Sequence, residues 1–253
     1  MTLWAMLTEP LARLSTPDVA ILVAATLLAG VVRGFSGFGS AMILVPSYSL
    51  VFGPAAAIPM MSLVDVTGSL GLMPRALRRC TWREVAPLTL GASLLLPLGV
   101  YLLIVVDQEL LRWVISVTII LVVVVLASGW RYQAKPTPLL SVGIGGAAGL
   151  MGGSIGIAGP PVILFWLGGR STAETVRANT IVFLALLVVA AWISFFVGGL
   201  FTREVLVVAA LLAPLYAVAI WLGARSFRFA DEQWFRRLAL GIIAVIALVS
   251  LLG

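Results

Sequence analysis

The chain has 253 residues, of which 62% are apolar and only 10% charged, and its mean hydropathy is +1.16. Soluble domains carry about 45–50% apolar and about 25% charged residues, so this composition excludes a water-soluble globule and intrinsic disorder alike. With no histidine and one cysteine, Cys80, the chain has neither a disulfide framework nor the common zinc and haem ligand sets, and no metal or other cofactor is expected.

The net charge of +6 would suit nucleic acid if it formed a stripe, but the basic residues sit in short clusters between apolar runs, such as Arg75, Arg78, Arg79 and Arg83. That is the footprint of cytoplasmic loops beside anionic headgroups, so the expected environment is a lipid bilayer and no nucleic-acid partner is expected.

In chain order, residues 1–17 carry Glu9 and Arg13 on a mildly amphipathic stretch. Lacking a basic start and a small-residue cleavage site, this stretch is read as a lead-in helix rather than a signal peptide. Ten apolar segments follow, at 19–32, 38–52, 55–73, 85–106, 113–130, 139–152, 157–168, 180–200, 205–223 and 238–252. A crossing helix needs about 20 apolar residues; most segments approach that, and the first two of each five fall short. All are expected to be helical, because lipid offers backbone groups no other partner.

One half of the chain can be written under the other. Gly34, Gly37 and Ser40 fall over Gly153, Gly156 and Gly159; Arg83-Glu84-Val85 falls over Arg203-Glu204-Val205; and Asp107 to Arg112 (DQELLR) falls over Asp231 to Arg236 (DEQWFR). Glycine-rich apolar helices resemble one another by composition, but scarce charges do not, so the matches indicate a duplication with repeats at 1–132 and 133–253. Placing the loop at 75–83 inside and alternating the crossings puts thirteen of the sixteen basic residues inside, leaving Arg13, Arg112 and Arg203 outside. Both termini are then external. The expected fold is an all-α polytopic membrane protein of two inverted five-segment repeats, an arrangement associated with alternating-access transporters.

The chemistry is expected at two stretches, Arg33-Gly-Phe-Ser-Gly-Phe-Gly-Ser40 and Gly152-Gly-Ser-Ile-Gly-Ile-Ala-Gly-Pro-Pro161, which lie at matching positions between the two short segments of each half. A glycine cluster favours either a helix break or very close helix packing, and the GxxxG spacings of Gly30 with Gly34 and Gly152 with Gly156 keep the packing reading open. If the chain breaks, each following helix begins with unsatisfied N–H groups and a partial positive charge, and two such ends form an anion site without a metal. The candidate anion ligands are Arg33, Ser36, Gly37, Gly39, Ser40, Ser154, Gly156 and Gly159. Pro160 suits the first turn of a helix.

Arg33 marks a cytoplasmic helix end if both short segments cross, and an intramembrane anion ligand if they re-enter. Asp65 is the one carboxylate far from a segment end, which suggests a proton carrier; a hydrogen bond to Thr67 or Ser69, or an ion pair with Arg33, would explain it structurally. Asn179 is a candidate lining residue for which a helix cap is the alternative. Glu84, Glu204, Asp107 and Asp231 sit where loops enter helices and are read as helix caps. The tryptophans read as interfacial anchors, with Trp166 the exception.

At these clusters the sequence resembles the TauE/SafE family of sulfite and organosulfur-anion exporters. The counterparts of that family's Gly-rich repeat openings are GVVRGFSGFGSAMILVP (30–46) and GLMGGSIGIAGPPVILF (149–165). The resemblance implies transport of a small anion such as sulfite, a sulfonate or a related carboxylate, coupled to an ion gradient of H+ or Na+. The resulting expectation is a secondary transporter of the cytoplasmic membrane, not an enzyme, with Asp65 carrying a coupled proton. A non-transporting membrane scaffold and an anion channel are the alternatives, and a homodimer remains open.

Overall fold

A computed structural model describes residues 14–128, 137–167 and 172–226, together with 241, 243, 245–247 and 249. All regular structure among them is helical. In chain order the helices are α1 (Thr16–Ser36), α2 (Ser40–Phe52), α3 (Pro54–Leu77), α4 (Trp82–Val105), α5 (Gln108–Ala127), α6 (Pro138–Ile155), α7 (Gly159–Leu167), α8 (Ala173–Val197) and α9 (Arg203–Ser226). Most of the lead-in stretch and of the tenth apolar segment lies outside the described residues, as does Asp231.

Local sequence explains four of the helix starts. Ser15 and Asp18 form a reciprocal capping box on α1 with Pro17 in the first turn. Thr137 and Thr172 cap α6 and α8, and Asp107 caps α5 by accepting from the amides of Glu109 and Leu110 at 3.0 and 3.1 Å. Six helices are long and apolar enough to cross a bilayer: α1, α4, α5, α6, α8 and α9.

The first helix of each expected repeat, α1 and α6, is longer than its apolar run suggested. In α1 the helix continues through Arg33-Gly34-Phe35-Ser36, and in α6 through Gly153-Ser154-Ile155, where Arg33, Gly34, Phe35, Gly153 and Ile155 are buried in the bundle. Only the second elements are short. At 1.5 Å per residue, α2 and α7 span about 20 and about 13 Å, less than a hydrocarbon core of about 30 Å.

The two most extensive helix contacts join the sequence halves, with α1 running along α9 and α6 along α4. Both are glycine seams of the same construction. A Cβ on Gly34 would come within 2.2 Å of the Ile220 carbonyl oxygen and 2.8 Å of the Ala224 nitrogen. One on Gly153 would come within 2.4 Å of the Leu96 carbonyl oxygen and 2.8 Å of the Val100 nitrogen. Gly30 and Gly223 extend the first seam, and Gly91, Gly99, Gly145 and Gly149 the second. Lipid tails are as apolar as leucine, so close backbone approach is what holds such helices together. Between the seams, α3 and α8 pack on each other at the centre of the bundle.

A Cβ at position 149 would sit 2.0 Å from the Ala92 carbonyl oxygen, which is backbone and cannot swing away. Gly149→Ala is therefore expected to part α4 from α6 and cost about 3 kcal/mol, the upper end for overpacking. The check is the thermal unfolding midpoint of purified protein, with Gly143→Ala, where nothing lies within 4 Å of the added atom, unchanged beside it.

Candidate functional site

Both glycine stretches break their helices, at matching residues. Gly37 ends α1 in the left-handed region (φ 81°), with its N–H donating to the Arg33 carbonyl at 2.8 Å, and Gly39 (φ 92°) precedes the first residue of α2, Ser40. Gly156 ends α6 in the same way (φ 74°), and α7 begins at Gly159 with Pro160 and Pro161 in its first turn. An L side chain is disfavoured in this conformation by about 1–2 kcal/mol, which is why glycine stands at both positions. The seam and break readings of the clusters therefore apply to different residues: Gly30, Gly34 and Gly153 pack helices, while Gly37, Gly39 and Gly156 turn the chain.

The first break carries Arg33 and Ser40 to one carboxylate. Arg33 Nη2 lies 3.0 Å from Asp65 Oδ2, with the two side chains 2% and 14% exposed. The Ser40 hydroxyl donates to Asp65 Oδ1 at 2.7 Å, and the Tyr216 hydroxyl, wholly buried on α9, donates to the same oxygen. A charge at this depth is tolerable only when paired and hydrogen-bonded, and Asp65 has both. A second guanidinium stands behind the break: Arg177 Nη2 donates to the Gly34 carbonyl at 3.2 Å, and the side chain crosses over Gly37.

The breaks face one cavity of about 100 Å³, room for several water-sized groups. Phe38, Gly39, Ser40, Ala41 and Met42 line it from the first break, and Gly156, Ile157, Ala158, Gly159 and Pro160 from the second. Between them lie a face of α3 (Ile58, Met61, Ser62, Asp65) and a face of α8 (Leu184, Leu187, Val188, Ala191, Phe195), both at helical spacing.

Of the residues singled out in the sequence, Arg33, Gly39, Ser40, Asp65, Gly156 and Gly159 line the cavity. Gly37 lies beside it under Arg177. The Ser36 side chain is outside the described residues. Ser154 turns away, its hydroxyl donating to the Leu150 carbonyl at 2.8 Å within its own helix.

Asn179 is a structural clip rather than a lining residue. Its Oδ1 accepts from the Thr81 amide at 2.7 Å, at the N-cap of α4, and its Nδ2 donates to Glu84 Oε2 at 2.9 Å. Asn179 caps neither helix: it lies inside α8, which Thr172 caps, and α4 has no side-chain cap.

Sequence reasoning missed Tyr216, Ser62 and the α8 wall. Tyr216 carried one faint signal, a phenol in an otherwise apolar run, and its role depends on α9 lying against α3. The α8 stripe is indistinguishable in sequence from a lipid-facing or core face. Trp166, the tryptophan set apart from the interfacial anchors, is buried edge-on to Phe183 at 6.3 Å.

Residues 22–250 match the family model described as "Sulfite exporter TauE/SafE". A curated relative from Cupriavidus necator, named "Probable sulfite/organosulfonate exporter TauE", is 29% identical over 218 residues, covering 82% of this chain and 84% of the relative. No solved structure matches the chain.

Proposed function

The chain belongs to the sulfite exporter TauE/SafE family, and we propose that it is a secondary transporter that carries a small anion, sulfite or an organosulfonate, across the cytoplasmic membrane by alternating access. The observation that carries this reading is the convergence of two matched helix breaks, one from each half of the sequence, on a single cavity beside a buried Arg33–Asp65 pair. The starts of α2 and α7 carry the partial positive charge of a helix N-terminus, and together with Arg33 they supply positive potential for an anion. The like-built seams of α1 on α9 and α6 on α4 support two repeats, 1–132 and 133–253, that move against each other around this site. The basic loop between α3 and α4 faces the cytoplasm in this reading.

Asp65 supplies the coupling. Its carboxylate occupies the donors that an incoming anion needs, Arg33 and the Ser40 hydroxyl. A proton on Asp65 removes its charge and releases Arg33 to the substrate, so anion and proton load together. The partners that ring the carboxylate, a guanidinium and two hydroxyls, all donate to it, whereas a metal cation such as Na+ requires oxygen ligands turned toward it.

The test is uptake of labelled sulfite and methanesulfonate into proteoliposomes under an imposed pH gradient. Saturable accumulation above the equilibrium level, abolished by a protonophore, is expected. Current in planar bilayers far above carrier turnover would make the protein a channel, and the absence of any flux from folded protein would overturn transport itself.

A further inference from the structure

Three residues at the start of α8 bond elements of the first half of the sequence. Glu174, in the first turn, pairs with Arg79 just past the end of α3, and both side chains are exposed. Arg177 Nη2 donates to the Gly34 carbonyl, in the last turn of α1, at 3.2 Å. Asn179, wholly buried, bonds the Thr81 amide and Glu84 at the start of α4, at 2.7 and 2.9 Å. From Glu174 to Asn179 the helix rises only about 8 Å, at 1.5 Å per residue. The three form one clasp at one end of the bundle.

The clasp lies beyond the cavity on both central helices. On α8 the lining begins at Leu184, and Thr180 to Phe183, which separate it from Asn179, are buried without lining it. On α3 the lining ends at Asp65, about 18 Å before the helix ends at Leu77. Arg177 ties the clasp to the site itself: a Cβ on Gly37, the turning residue between Arg33 and Ser40, would stand 3.0 Å from its Cγ and Nε. The bonds of the clasp are unequal. An exposed ion pair contributes little in water, and a carbonyl at a helix end can exchange a guanidinium for water, whereas parting Asn179 from α4 would strand a buried amide.

We propose that this clasp is the gate on the side of the basic loop, shut in the present form. It opens when Glu174 releases Arg79 and Arg177 releases the end of α1, with Asn179 the fixed point about which the start of α8 swings. Withdrawing Arg177 also frees the turn at Gly37, so the gate changes together with the anion ligands on either side of that turn, Arg33 and Ser40. This assignment rests on the transport reading above and adds to it the elements that part on one side.

Cross-linking of the reconstituted full chain tests it. Arg79→Cys and Glu174→Cys, both at exposed positions, are combined with Cys80→Ser and joined by the shortest bismaleimide that links them. The same variant blocked with N-ethylmaleimide, which occupies both thiols without joining them, is the control. Uptake of labelled sulfite and methanesulfonate is expected to fall at least tenfold in the joined protein and to persist in the blocked one. A second measurement needs no cross-link. In Phe38→Cys with Cys80→Ser, an impermeant thiol reagent added on the side of the basic loop reports access to the cavity, which Phe38 lines. Adding Arg177→Met is expected to speed that labelling about tenfold, as loss of one hydrogen bond from a charged group in the shut state would give. Transport by the joined protein at the rate of the blocked control, or unchanged labelling with Arg177→Met, overturns the gate and leaves transport standing. Absence of flux in the unmodified chain overturns the transport reading and the gate with it.

Discussion

Gly156→Ala is expected to lower sulfite uptake into proteoliposomes at least tenfold while the purified protein remains monodisperse. The residue holds φ 74°, where an L side chain costs about 1–2 kcal/mol. Its Cβ would also stand 2.8 Å from Val45 Cγ2 and 3.3 Å from Ile58 Cγ1. Both neighbours belong to the other half of the sequence, and Ile58 lines the cavity. The strain is therefore released where the second break meets the first, displacing the amides that open α7. Since about 1.4 kcal/mol corresponds to a factor of ten, the combined effect is large on function and modest against the stability of the whole bundle.

Gly37→Ala meets only Arg177, whose Cγ and Nε lie at 3.0 Å on a flexible side chain, so a smaller loss is expected there. Gly143→Ala, on the same helix as Gly156 and open to its surroundings, is the matched control and should transport normally. Wild-type rates in Gly156→Ala would remove the break from the mechanism.

Asp65→Asn is expected to abolish accumulation driven by a pH gradient and to retain exchange of anion for anion. The amide keeps the volume and removes the titrating charge, so the site no longer alternates between holding Arg33 internally and releasing it. The substitution also leaves Arg33, 2% exposed, without its counter-ion. Removing one partner of a buried pair costs about 3–5 kcal/mol. A bound anion restores the missing charge. The thermal midpoint of the variant should therefore be lower than wild type without ligand, and should rise more on adding a sulfonate. Accumulation that still follows the pH gradient would exclude Asp65 as the proton carrier.

Much of this was legible in the sequence because the responsible physics is local. A glycine in the left-handed region at the end of a helix is a property of a few residues, and the clusters at 34–40 and 153–159 announced both breaks. The capping box at Ser15 and the cap at Asp107 belong to the same class. The GxxxG ambiguity, by contrast, could not be divided by spacing. Gly34 and Gly37 differ in role because one faces a neighbouring helix backbone at contact distance and the other does not.

Asn179 shows the same limit from the other side. Its type and position suited both a lining residue and a cap, and the residues it bonds instead lie 98 and 95 residues away in the chain.

The sequence by itself determined that the chain lives in lipid, that it is helical, that two glycine clusters at matching points break or tightly pack their helices, and that one aspartate lies where charge is expensive. Those follow from composition and from short-range backbone preference, which do not depend on what a segment packs against. The tertiary structure decided that Arg33, Ser40 and Tyr216 converge on Asp65, and that both interruptions open on the same cavity. Each of these depends on which helix faces meet, and the close approaches at the glycine seams help fix that among the described residues.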